Sequence, residues 1–167
     1  MRSQYDALLA ANLHVDFPVD RRVLLARCRV WVVYRDYSRE LNREVQTGFR
    51  MVAENAVEWH FQIPTGGGKS IDLVAELRMH AGENRIQIAF RREAKAGEAA
   101  LEDAASVKLI VRPDVDDRGF HEKTKAYAGA ESAWPGAVDA RADGFGFSPT
   151  GGHTLKMSGT TFNLEPK

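Results

Sequence analysis

The 167 residues make a chain the length of one domain, and its 23 basic residues cancel its 23 acidic ones. That balance removes the diffuse phosphate attraction that nucleic-acid binders depend on. No apolar run approaches the roughly 20 residues needed to span a bilayer, so neither nucleic acid nor membrane is expected as a partner.

The content of hydrophobic (44%) and charged (28%) residues, with six prolines, is that of an ordered domain rather than a disordered tail. The single cysteine, Cys28, excludes an internal disulfide and a Cys-rich zinc site. It suits a reducing compartment, and with no apolar leader the expected location is the cytoplasm.

In chain order, Gln4 to Leu13 carries the one run with helical spacing, through Leu8, Leu9 and Leu13, about two turns long. Cys28, Val30, Val32 and Tyr34 alternate as a long strand whose other face, Arg27, Arg29, Trp31, Val33 and Arg35, is mixed. The cleanest alternation is Val57, Trp59, Phe61 and Ile63 against Glu58, His60 and Gln62. Ile71, Leu73, Ala75, Leu77 and Met79 repeat it after a glycine-rich stretch, with Val74 as the exception, so the two runs predict a hairpin. Further strands are expected at Ile86 to Phe90, Val107 to Val111, Phe145 to Phe147, Leu155 to Met157 and Phe162 to Leu164. The alanine-rich stretch from Glu93 to Ala105 reads as an exposed connection. Gly119 to Val138 has no period and holds Gly129, Pro135 and Gly136, so it reads as a long loop. Many short alternating strands without intervening helices predict one all-β domain over 1–167, an antiparallel β-sandwich.

Pro64-Thr65-Gly66-Gly67-Gly68-Lys69-Ser70 imitates a phosphate-binding loop. The first glycine of that signature falls at Ile63, and a strand rather than a helix follows, so a flexible hairpin turn is expected. Asp114-Val115-Asp116-Asp117-Arg118-Gly119 imitates the start of a calcium loop. Arg118 at its fifth position repels a cation, and Lys125 stands where the bidentate glutamate belongs. No metal and no cofactor is expected.

The acids Asp114, Asp116, Asp117, Glu122 and Glu131 lie among Arg112, Arg118, Lys123 and Lys125, which reads as a charge network rather than the opposed carboxyl pair of a glycosidase. His121 has no nucleophile in a recognisable elbow beside it. Phe120, Tyr127 and Trp134 add the aromatic rings a sugar-binding surface uses, although Trp134 also suits a plug closing one end of a sandwich.

The segment from Arg112-Pro113-Asp114-Val115-Asp116-Asp117-Arg118-Gly119-Phe120-His121-Glu122 through Tyr127 and Glu131 to Trp134-Pro135 resembles the central signature of bacterial glycogen debranching enzymes of the amylo-α-1,6-glucosidase type. Tyr5-Asp6-Ala7-Leu8-Leu9-Ala10-Ala11-Asn12-Leu13, Pro18-Val19-Asp20-Arg21-Arg22 and Arg27-Cys28-Arg29-Val30-Trp31-Val32-Val33-Tyr34 are similar to the opening of the non-catalytic domain that precedes the glucosidase domain.

The resemblance implies a β-sandwich packed against a helical toroid that carries the acid and base, so no catalytic residue is expected in this chain. Phe162-Asn163-Leu164-Glu165-Pro166-Lys167 reads as a point where a longer hydrolase would continue. Its implied partners are the catalytic domain of the same parent chain and α-glucan, either glycogen or limit dextrin. The residues expected to meet one or the other are Arg112, Asp114, Asp117, Arg118, His121, Lys125, Tyr127, Glu131 and Trp134. A stand-alone glucan-binding module is the alternative.

Overall fold

A computed structural model describes residues 5–14, 16, 20–94, 97–122, 130–149 and 152–159, with the backbone alone for 130–132. Among them the chain is all-β. Its strands are β1 (Leu9–Asn12), β2 (Arg21–Tyr34), β3 (Tyr37–Glu40), β4 (Gln46–Ala53), β5 (Ala56–Gly66), β6 (Lys69–Met79), β7 (Ile86–Glu93), β8 (Lys108–Gly119), β9 (Val138–Arg141), β10 (Gly144–Phe147) and β11 (Leu155–Ser158). One 3-10 helix, Ala130–Ala137, precedes β9. Among the described residues no helix is long and apolar enough to cross a membrane.

Among the described residues three sheets form, ordered β1-β2-β3 with β8 also on β2, β4-β5-β6-β7, and β11-β10-β9. The chain divides into two compact units. One comprises residues 1–6, 10–24 and 116–167, the other residues 7–9 and 25–115.

In the larger unit β5 and β6 pair antiparallel with Ile63 opposite Ile71 and Trp59 opposite Ala75, the hairpin the alternation predicts. Residues directly opposite share a face. Phe61, Ile63, Ile71, Leu73 and Ala75 therefore form one apolar surface, and Val32 of β2 closes over it with Val45 and Leu101. Two layers bury what neither could bury alone, which is the sandwich. Each fully buried aliphatic side chain contributes about 1.5–3 kcal/mol. The turn between β5 and β6 runs through Gly66, Gly67 and Gly68, all at positive φ, where a β-carbon is disfavoured.

The opposite face of the same hairpin is polar. Glu58 is buried there, 2.7 Å from Arg50, 3.3 Å from His60 and 3.5 Å from Arg91. The hydrogen bond from Arg50 holds its carboxyl below the ordinary range against the opposing effect of burial. Val74, the exception to the alternation, lies on this face and is 1% exposed.

In the smaller unit β10 is buried along its whole length, between β9 and β11, with Phe145 opposite Ala140 on one side and Met157 on the other. Gly144 is forced by close approach. A β-carbon there would sit 1.8 Å from the carbonyl oxygen of Met157.

Several expectations change. The stretch with helical spacing near the N-terminus yields a strand at Leu9–Asn12 instead, because its apolar residues pair with β2 rather than packing a helix face. The strand expected at Val107 to Val111 runs on to Gly119 as β8, and Gly119 to Val138 is not one long loop, since it ends in the 3-10 helix and β9. The connection from Glu93 to Ala105 is not wholly exposed. Leu101 is buried, and Ala100 bridges Ser70 in parallel. The strand expected at Phe162 to Leu164 lies outside the described residues.

Candidate functional site

Strand β8 carries the acid-rich motif, and strand geometry sends successive side chains to opposite sides. Arg112 and Asp114 therefore share one side in the larger unit. In the smaller unit Asp116 and Arg118 share a side, and Asp117 points away from both. The described candidate residues fall into small constellations, each within its own unit.

In the larger unit Asp114 accepts hydrogen bonds from Nε of Arg27 and, at 3.1 Å, from Nη2 of Arg29, both on β2. Nε of Arg112 stands 3.9 Å away. Burial acts to raise the Asp114 carboxyl, but the two arginine hydrogen bonds outweigh it and hold the group below its usual range. Arg29 also lies over the Trp31 ring, 5.7 Å from its centre. Cys28, between these arginines in sequence, has its thiol pushed up to about 11, first by burial and then by the charge of Asp114.

In the smaller unit Asp117 has a side chain only 3% exposed. It accepts from Nε of Arg22 at 2.8 Å and lies 3.0 Å from Nε2 of His153. Asp116 accepts from Nε of Arg118 at 3.0 Å and from the backbone N–H of Asp117 at 2.9 Å. Arg118 reaches on to the carbonyl of Glu122 at 2.9 Å and so fastens the end of β8 to the turn that follows.

His121 is exposed in that turn. Its ring stands edge-on to Phe120 at 5.4 Å and to Tyr5 at 5.8 Å, and Arg21 lies 5.2 Å from the centre of Phe120. Trp134, on the 3-10 helix, packs edge-on against Phe147 at 5.5 Å, and Phe147 is 0% exposed. Glu131 is described by its backbone alone, in the same helix, and Lys125 and Tyr127 lie outside the described residues.

Chemically, Asp114, Asp116 and Asp117 are each engaged by guanidinium groups. A general acid for glycoside cleavage needs a carboxyl whose pKa is raised, and that of Asp114 is lowered. Among the described residues no group of three or more His, Cys, Asp or Glu side chains is disposed to hold a metal ion.

The sequence reading missed Arg22, Arg27, Arg29, His153 and Tyr5. The arginines left a usable signal, since a strand bearing several basic side chains requires acidic neighbours, which β8 supplies. His153 left none.

Searches of curated proteins and of solved structures returned no match. One family, described as glycogen debranching enzyme N terminal, has a sequence model that matches residues 1–166.

Proposed function

The chain belongs to the glycogen debranching enzyme N-terminal family, and from that membership we propose that it is the non-catalytic accessory domain of a cytoplasmic hydrolase acting at α-1,6-glucosidic branch points. In this reading residues 1–167 act as one family domain that packs against the glucosidase domain of the parent chain and helps shape it. Glycogen or limit dextrin is the substrate of the whole. The observation that carries the reading is the extent of the family match, which takes up residues 1–166.

The chemistry of β8 supports it. Acids engaged by Arg22, Arg27, Arg29 and Arg118 are suited to fixing a strand and a turn, not to protonating a leaving oxygen. His121 and Trp134, with Arg112, Lys125, Tyr127 and Glu131, are the residues proposed to meet the glucosidase domain or the glucan.

A second reading, a stand-alone α-glucan-binding module, draws on the cluster of Tyr5, Phe120 and His121 beneath Arg21, where Tyr5 and His121 are exposed.

Glucose release from phosphorylase limit dextrin tests the proposal. The 167-residue protein should release none, and a parent enzyme containing it should release glucose. Turnover by the 167-residue protein that disappears in Asp114→Asn or Asp116→Asn would place the chemistry here and overturn the reading.

A further inference from the structure

The glycine-rich turn from Thr65 to Ser70 has no part in the reading above, yet it forms one wall of a cleft of about 700 Å³ in the larger unit. That volume lies within the range of small-molecule sites. The facing wall is the turn joining β2 to β3, with Tyr34 and Tyr37 at its two ends. These tyrosines are directly opposite in the antiparallel pair, so both rings project from the same side of the hairpin. Tyr34 leans on the core, and Tyr37 is 40% exposed.

Three features distinguish this cleft from an ordinary gap between loops. Thr65 lines it and is only 7% exposed, and its buried Oγ1 has no hydrogen-bond partner. A buried hydroxyl without a partner costs about 1–3 kcal/mol, so it calls for an explanation. Arg35 holds φ at 53°, as the first central residue of the two-residue turn between Tyr34 and Tyr37 requires, so the hairpin tip that forms this wall is tightly defined. Gly66, Gly67 and Gly68 keep the turn free of side chains, and a β-carbon at any of them would meet nothing within 4 Å. Their glycine identity therefore answers to conformation and leaves the cleft mouth open.

The charges around the cleft identify the ligand class. Arg35 and Lys69 are matched by Asp36 and Glu102, and Nζ of Lys69 lies 4.0 Å from the Glu102 carboxylate. A site with balanced charge gives no advantage to a phosphate or any other ion. Two tyrosine rings, planar polar groups of both signs and an unsatisfied hydroxyl are what a neutral polyol with flat apolar ring faces requires.

We propose that this cleft is a saccharide-binding subsite, in which a sugar ring lies against Tyr37 and a sugar hydroxyl supplies the missing partner of Thr65. Oγ1 of Thr65 is out of solvent's reach in the free protein, so this contact requires a change of χ1 between staggered wells on binding. That the saccharide is α-linked glucan rests on the function proposed above; that it is a neutral saccharide rests on the cleft alone.

Isothermal titration of the 167-residue protein with maltoheptaose, cellohexaose and tripolyphosphate tests both parts. Maltoheptaose should bind, Tyr37→Ala should weaken it about tenfold, and Thr65→Val should weaken it about three- to tenfold. Thr65→Val should also leave the melting temperature unchanged or raise it, because it removes an unsatisfied polar atom from a buried position. Met51→Ala, an exposed side chain that does not line the cleft, should leave binding unaltered.

Equal binding of cellohexaose with the same sensitivity to Tyr37→Ala and Thr65→Val would keep the saccharide site and overturn the α-glucan assignment. Three results would each overturn the site: no binding of either oligosaccharide, binding of tripolyphosphate in their place, or binding abolished by Tyr5→Ala and untouched by Tyr37→Ala.

Discussion

Nε2 of His153 stands 3.0 Å from Oδ1 of Asp117, a residue 36 positions away that the chain brings beside it, and Arg22 reaches the same oxygen at 2.7 Å. Asp117 is thus the buried anion that ties β2, β8 and the segment before β11 together within the smaller unit. Removing it by Asp117→Ala strands two polar groups. Breaking a buried pair in this way costs about 3–5 kcal/mol when both partners are buried. Arg22 is 28% exposed, so about 2–3 kcal/mol is expected, a fall of roughly 4–12 °C in melting temperature. An unchanged midpoint in a thermal scan would show that the cluster is ornamental.

The low carboxyl of Asp114 predicts a pH dependence. A carboxyl lowered from its ordinary 3.8 adds stability that is fully present above that value and is lost as the pH falls through the lower folded value. The stability gap between the natural protein and Asp114→Asn should therefore be constant near neutrality and should shrink below about pH 4. Urea midpoints for the two proteins from pH 3 to pH 7 measure it. A gap that widens toward acid would contradict the assigned direction.

Trp134 stacks edge-on against the fully buried Phe147, so its truncation should be felt within the smaller unit. Trp134→Ala should cost about 2–4 kcal/mol, near the low end for aromatic deletion because the ring is only half-buried. Trp134→Phe should recover part of that loss through the edge-to-face pair. If Trp134→Ala melts normally and a parent enzyme bearing it releases less glucose, the ring acts at an interface instead.

Gly144 tests the tightness of the β10–β11 pair. Gly144→Ala drives a β-carbon into the Met157 carbonyl, which is backbone and cannot swing aside. A cost of about 3 kcal/mol or more is expected, compared with under about 1 kcal/mol for Gly136→Ala, where a β-carbon meets nothing within 4 Å. Equal melting temperatures for the two variants would refute the close approach.

Cys28, with its thiol pushed up to about 11, should be sluggish toward alkylation. Iodoacetamide at pH 8 should modify it roughly a hundredfold more slowly in the folded protein than in guanidinium chloride. Comparable rates would show that the thiol is neither buried nor influenced by Asp114.

The alternation of Val57 to Ile63 and of Ile71 to Met79 was enough to predict a hairpin with one apolar face, because one face meets an apolar core and the other meets polar groups; its register came from the structure. The debranching-enzyme signature was likewise legible as a string of residues. Where no apolar face exists the pattern is silent. β3 and β4 are mostly exposed, and β8, expected only over Val107 to Val111, carries arginine-bound carboxylates on both of its sides between Asp114 and Asp117, so its continuation to Gly119 left no apolar face to read. Only the tertiary structure decided which arginine holds Asp114, that His153 meets Asp117, and that Thr65 is buried at a cleft with an unsatisfied hydroxyl. Those facts depend on long-range pairing between strands, and hydrophobic periodicity reports only the burial of each strand by itself.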